Sequence, residues 1–127
     1  MLEHKFTGPP FTVGIEEELM LVDAESLDLA QEIEALLAAV PGEFEGQVKP
    51  ELMQAVLEIA TTPCAGVAEA GEQLAGLRRT VSGCAEGLGL AVGAAATHPF
   101  ALCTAQEIVD RPRYRQLVAE IVETSRP

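Results

Sequence analysis

The segment Phe11-Thr12-Val13-Gly14-Ile15-Glu16-Glu17-Glu18-Leu19-Met20-Leu21-Val22 constrains this chain more than any other. Three consecutive glutamates interrupt an apolar run. A period of two reads residues 11–22 as a strand, with Phe11, Val13, Ile15, Glu17, Leu19 and Leu21 on one face. Thr12, Gly14, Glu16, Glu18, Met20 and Val22 then share the other. Glu16 and Glu18 therefore point the same way, roughly 6.5–7 Å apart along the strand. Two like charges held side by side repel. They need a cation, a proton or a long basic side chain to offset them. Gly8-Pro9-Pro10 cannot continue a ladder, so residues 1–10 read as a lead-in and the strand begins at about Phe11. It ends near Asp23, in an Asp-Ala-Glu-Ser turn.

Charge narrows the partners. Twenty acidic residues against eight basic ones leave a formal charge of -12 in 127 residues. Such a balance argues against a nucleic-acid backbone and against an anionic membrane surface. An anionic ligand would need metal ions as intermediaries. A solubilising acidic surface is the simpler alternative. The length suits one modest domain, residues 11–127, with an aliphatic core, since Trp is absent and Tyr occurs once. Cys64, Cys84 and Cys103 match no zinc spacing and read as free thiols of a reducing compartment. No basic segment followed by an apolar run opens the chain, and the apolar stretch 88–101 is too short to span a bilayer. The expected location is cytoplasmic.

Further along, Ile33, Leu36, Leu37 and Val40 carry helical spacing. A helix over 29–40 follows, with Asp28 as N-cap, Gln31 in capping-box position and Pro41-Gly42 as terminator. Residues 46–62 are ambiguous. A helix over 51–60 is locally possible; so are two short strands with a kink near Met53. In the strand reading Val56, Glu58 and Ala60 share a face, opposite Leu57, Ile59 and Thr61. A long helix is expected over 67–89, its stripe running through Val67, Ala70, Leu74, Leu77, Val81, Cys84 and Leu88, with Gly71, Gly76 and Gly83 candidates for close packing on a sheet. Residues 90–97 read as a strand buried on both faces, ending at His98-Pro99. A last helix region covers 106–122, with a possible break at Pro112 and a basic group Arg111, Arg113 and Arg115. The order of elements implies an α+β sheet packed against helices.

Glu16 and Glu18 on one strand, with Glu51 and Glu58 flanking Gln54 in a later segment, match no zinc, phosphate-loop or nucleophile-elbow motif. What remains is an all-oxygen cluster, suited to Mg²⁺ or Mn²⁺.

The fragments Phe11-Thr12-Val13-Gly14-Ile15-Glu16-Glu17-Glu18-Leu19, Lys49-Pro50-Glu51-Leu52 and Leu57-Glu58-Ile59-Ala60-Thr61-Thr62-Pro63-Cys64 resemble the bacterial glutamate–cysteine ligase type 2 family of carboxylate–amine ligases. Leu77-Arg78-Arg79, Thr97-His98-Pro99-Phe100 and Pro112-Arg113-Tyr114 continue the similarity in the same order. The resemblance implies part of a glutamine-synthetase-like catalytic fold: an antiparallel curved sheet with helices on one side. It favours strands for 46–62. It implies Glu16, Glu18, Glu51 and Glu58 as the catalytic and metal-binding carboxylates, with Glu51 and Glu58 either ligating metal or gripping the glutamate amine, Gln54 lining the cofactor site and His98 at its rim. The implied cofactors are ATP and Mg²⁺, with Mn²⁺ as a substitute. The implied substrates are L-glutamate and an amine such as L-cysteine, joined as a γ-glutamyl amide through an acyl phosphate. Members of the family are longer. The chain is thus expected to be the N-terminal part of a catalytic domain, inactive alone, with the ATP-phosphate contacts beyond residue 127 and a C-terminal segment or a second copy completing it. The competing reading is a non-catalytic interaction or dimerisation module with exposed sheet edges.

Overall fold

The structure, a computed structural model, describes residues 11–124. The lead-in 1–10 lies outside the described residues. The elements run β1 (Glu16–Asp23), α1 (Ile33–Ala39), β2 (Val48–Pro50), β3 (Val56–Ala60), α2 (Val67–Gly87), β4 (Leu90–Gly93) and α3 (Pro112–Thr124), with short 3₁₀ turns at Gly42–Phe44 and Cys103–Ala105. The strands form one antiparallel sheet in the order β2-β3-β1-β4, an α+β fold as the element order implied.

The core lies on one side of the sheet. Leu19 and Leu21 of β1, Leu57 and Ile59 of β3 and Val48 of β2 bury against Ile33 and Leu36 of α1 and Leu77, Val81 and Ala85 of α2. Each of these side chains is at most 6% exposed, so the apolar alternation of β1 and β3 is satisfied on this face. The opposite face, centred on Glu18, Met20, Val56 and Glu58, is exposed or half-buried.

β1 is shorter than its pattern. It begins at Glu16 rather than Phe11, and Phe11 is 96% exposed with φ 63°. Residues 13–15 still pair, but irregularly. Val13 exchanges backbone hydrogen bonds with Cys64, and Ile15 accepts from the Thr61 amide. Two residues, Thr62 and Pro63, thus oppose the single Gly14, which is a bulge. The Ile15 amide turns to the Thr61 hydroxyl instead, at 3.0 Å. At its other end β1 closes in an Asx turn, where the Asp23 carboxylate accepts from the amides of Ser26 and Glu25. Those amides hold the Asp23 carboxyl below the usual carboxylate range.

Both shorter helices start late, for one reason. The expected helix over 29–40 begins at Ile33, and Asp28 makes no cap. Residues 28–30 are spent on β1: Asp23 donates to the Asp28 carbonyl and Ala30 to that of Leu21. The first α1 amide, Ile33, is satisfied by the Gln54 carbonyl. Gln31 reaches Gln106 and the Glu107 amide rather than its own helix. Likewise α3 begins at Pro112, not near Gln106. Residues 107–109 pair with 52–54, through Gln54 donating to the Glu107 carbonyl and Val109 to that of Leu52. Proline then takes the first helical position, where its missing N–H is not needed.

The ambiguous stretch 46–62 is a hairpin, with β2 and β3 separated by the kinked loop 51–55. α2 fulfils the long-helix expectation and ends at Gly87, with Gly89 at φ 73° turning the chain in the left-handed region, while the end positions of the expected stripe, Val67 and Leu88, are exposed. Its glycines do not mediate close packing: a Cβ at Gly71 or Gly83 would meet nothing within 4 Å, and one at Gly76 only the tip of Arg79. Cys84 packs at the core's margin, as its place on the stripe implies. The strand expected over 90–97 ends at Gly93, and residues 94–97 are exposed. Alanine and glycine have low strand preference and bury little area. All three cysteines are free thiols.

Candidate active site

The sheet register brings the carboxylates together. Glu18 pairs directly with Glu58 across β1 and β3, and Glu16 pairs with Ala60. On the other flank Glu58 pairs with Lys49 of β2. The β2–β3 register extends one pair further, since the Glu51 amide donates to the Val56 carbonyl at 3.3 Å. Directly paired residues share a face, so Glu16, Glu18, Glu58, Lys49 and, by that extension, Glu51 lie on the side of the sheet away from the helices. Opposed Cβ atoms in such pairs stand about 4.5–5.5 Å apart.

Like charges directly opposite destabilise a sheet, and Glu18 against Glu58 is such a pair. The offset is Lys49, whose Nζ donates to Glu58 Oε1 at 2.5 Å. That hydrogen bond, reinforced by the charges of Glu58 and Glu16, holds the Lys49 ammonium above the usual lysine range despite some desolvation. Among the described residues, Glu16, Glu18 and Glu51 make no side-chain hydrogen bond or ion pair.

Several contacts brace this face from its edges. The loop 52–54 is gripped by α1 and by residues 107–109, which fixes the hairpin that carries Glu51 and Glu58. Tyr114 of α3 donates to the Pro50 carbonyl at 2.9 Å, next to Glu51. Burial, then the nearby Glu51 charge, pushes the Tyr114 phenol up. Behind the sheet, Glu17 occupies an apolar-face position and takes a two-point ion pair from Arg78 of α2, with Nε to Oε2 at 2.7 Å. Its neighbours Glu16 and Glu18 are thereby pointed outward with the strand locked to α2. Beyond Gly93 the chain leaves β1 and opens a cleft of about 350 Å³ beside Glu18, Met20 and Val56, walled by Ala94, Ala95 and Ala96.

Of the residues expected at the site, Glu16, Glu18, Glu51 and Glu58 share the face. Gln54 does not join them through its backbone, which serves α1 and Glu107. His98 sits at the other end of β1. Its Nε2 donates to the Leu27 carbonyl at 2.8 Å, and its Nδ1 accepts from the Ala101 amide at 3.1 Å. Leu27 follows the Asp23 end of β1, and Asp23 is five residues from Glu18, roughly 16 Å along a strand. His98 ties two turns together. Arg111 and Arg115 pair with Glu34 and Asp110, so the basic group offsets nearby carboxylates. Two residues escaped the sequence reading: Glu17 as the clamp to α2, and Lys49 as the partner of Glu58. The second was within reach, because a hairpin turning at Met53 sets Lys49 opposite Glu58.

The donor set tests the implied metal. Its oxygens are all carboxylate and face one way, which fits a hard divalent cation in type and direction. Among the described residues no three acidic, histidine or cysteine side chains converge on one point. The carboxylates of the face stand apart, and Glu58 is held by Lys49.

Relatives carrying the name "Putative glutamate--cysteine ligase 2" include one from Jannaschia sp. (strain CCS1), 44% identical over 116 residues, covering 91% of this chain and 31% of the relative. One from Chloroflexus aggregans is 38% identical over 115 residues, covering 91% and 30%. One from Rhodospirillum rubrum is 43% identical over 118 residues, covering 89% and 30%. The chain thus spans about a third of the length of these relatives. No helix among the described residues is long and apolar enough to cross a membrane. The profile of glutamate-cysteine ligase family 2 (GCS2) matches residues 12–125, nearly all of the sequence that builds the sheet and its acidic face, and the chain belongs to that family.

Proposed function

We propose that this chain forms the acidic wall of an ATP- and Mg²⁺-dependent carboxylate–amine ligase that makes a γ-glutamyl amide. The observation that carries the reading is the cross-strand pair of Glu18 and Glu58, with Glu16 beside it, on an open sheet face in a chain of this family. A carboxylate is a poor acyl donor because its oxygen leaves badly. In the proposed reaction an oxygen of the glutamate γ-carboxylate attacks the terminal phosphorus of ATP, and ADP departs. The amine nitrogen, for example that of L-cysteine, then attacks the acyl carbon. Phosphate leaves with the bonding electrons and the amine gives up a proton.

This chain's residues bind and orient. Glu16, Glu18 and Glu58 present oxygens to Mg²⁺ or Mn²⁺. Glu51, at the hairpin end of the same face, is placed to receive the ammonium of an amino-acid substrate. When bound, the divalent ion neutralises phosphoryl oxygens and aligns them. This reconciles a charge of -12 with a nucleotide ligand. The family's ligase name supports the reaction class, while the acceptor amine is open to assay.

Calorimetry with Mg²⁺ and a non-hydrolysable ATP analogue tests the reading. Metal-dependent nucleotide binding is expected to weaken by about tenfold or more in Glu16→Gln plus Glu58→Gln, the loss of two charged ligands. Binding unchanged in that double variant overturns the carboxylate site and favours an interaction module.

A further inference from the structure

Lys49 is not required by the chemistry above, yet it lies on the acidic face beside Glu58. It stands on the edge strand β2, one residue before Pro50 and directly opposite Glu58. Its side chain is 40% exposed and that of Glu58 is 22% exposed, so the ion pair is partly open to solvent. The field of Glu16 reaches it as well. A single lysine thus neutralises part of a cluster whose other members lack side-chain partners among the described residues.

We propose that Lys49 is the resident cation of this face, holding Glu58 until a divalent ion displaces it. The inference rests on the metal reading given above. The physical logic is competition for one set of lone pairs. Glu18 and Glu58 repel across the strands, and a monovalent ammonium on Glu58 offsets that repulsion without gathering Glu16 and Glu18 into a ligand shell. A divalent ion offers more charge and several coordination positions, so it can draw all three carboxylates. To do so it must break the Lys49–Glu58 hydrogen bond. The four-carbon stem of lysine, rooted in an edge strand, leaves the ammonium free to swing toward solvent. The fold therefore carries its own placeholder, and metal affinity is set partly by how tightly that placeholder sits. Lys49 acts through Glu58 and is a positioning residue.

The test compares Mg²⁺ and Mn²⁺ binding, each ion alone, to the full chain and to Lys49→Met and Lys49→Arg, with circular dichroism as the check on folding. Methionine keeps the apolar stem and removes the competitor. Lys49→Met is expected to bind metal roughly three- to tenfold more tightly, the range set by loss of a half-exposed ion pair and of one nearby positive charge. Lys49→Arg retains a competing cation and is expected to stay within about twofold of the parent, or weaker. In the parent chain, Mg²⁺ should shift the NMR signals of the Lys49 Cε and Nζ, which a purely structural lysine would not show. Equal or weaker metal binding in Lys49→Met overturns the proposal. If Glu16→Gln still weakens binding in that case, the carboxylate site survives and only the exchange fails. If neither the parent chain nor Lys49→Met binds either ion, both fall.

Discussion

At the residue scale, the carboxylate face depends on side chains that never reach it directly. Tyr114 is the clearest. Its hydroxyl donates to the Pro50 carbonyl, between Lys49 and Glu51, and so ties α3 to the edge of the sheet. Tyr114→Phe keeps the ring and removes that bond, leaving the carbonyl short of a partner. The expected cost is about 1 kcal/mol of stability, read from urea unfolding. The same bond has a pH signature. Burial and Glu51 raise the folded-state pKa of Tyr114 above its unfolded value, favouring the neutral phenol. Its contribution is complete below the unfolded value, about 10. It is lost as pH rises through the folded value. The stability difference between the parent chain and Tyr114→Phe should therefore narrow at alkaline pH. A difference that stays constant to high pH would place the effect of the substitution elsewhere. Glu17 makes the complementary point. It lies on the core-facing side of β1 and is tolerable there only because Arg78 meets it at the sheet margin.

At the element scale, the ends of helices and strands are set by what else their backbone must do. α2 ends where Gly89 takes φ 73° and passes the chain into β4, with the Gly89 carbonyl accepting from Ala24 beside β1. A Cβ there would touch nothing within 4 Å, so the penalty of Gly89→Ala is conformational alone. It should cost about 1 kcal/mol, seen as a lower urea midpoint with an unchanged slope. The hairpin β2–β3 teaches the converse. Local propensity left residues 46–62 undecided, because Glu51, Leu52, Met53 and Gln54 suit a helix as well as a loop. Long-range backbone bonds decide it: Leu21 donates to Ala55, Ile33 to Gln54 and Val109 to Leu52. Those carbonyls would otherwise be needed inside a helix.

At the scale of the whole molecule, a charge of -12 on 127 residues is a standing repulsion that folding concentrates. The ion pairs Lys49–Glu58, Arg78–Glu17, Arg111–Glu34 and Arg115–Asp110 are at partly or fully exposed positions and offset little of it. Added monovalent salt should therefore raise the melting temperature between about 10 mM and about 150 mM ionic strength, because screening of many like charges outweighs weakening of a few pairs. A melting temperature that falls over that range would mean the ion pairs dominate. Sheet edges at β2 and β4 and the open acidic face are both consequences of the strand order, with helices α1 and α2 placed on one side only. A chain that spans about a third of its relatives thus buries one core and leaves an acidic sheet face exposed or half-buried.

The sequence by itself determined the direction of Glu16 and Glu18, because a period of two leaves no choice once Leu19 and Leu21 must be buried. It also determined the long helix α2, whose stripe spans many turns, and the family, through motifs kept in order. The strand start at Glu16, the late onset of α1 and α3 and the early end of β4 were decided only in three dimensions. Backbone groups at residues 28–30 and 107–109 look helical locally, but Ala30 and Val109 donate to distant carbonyls and the Asp28 and Glu107 carbonyls accept from distant amides. Register was the other tertiary decision. A strand pattern says which way a glutamate points but not which residue stands across from it. Only the assembled sheet sets Glu18 of β1 against Glu58 of β3. That is the arrangement in which two repelling glutamates acquire a neighbouring ammonium.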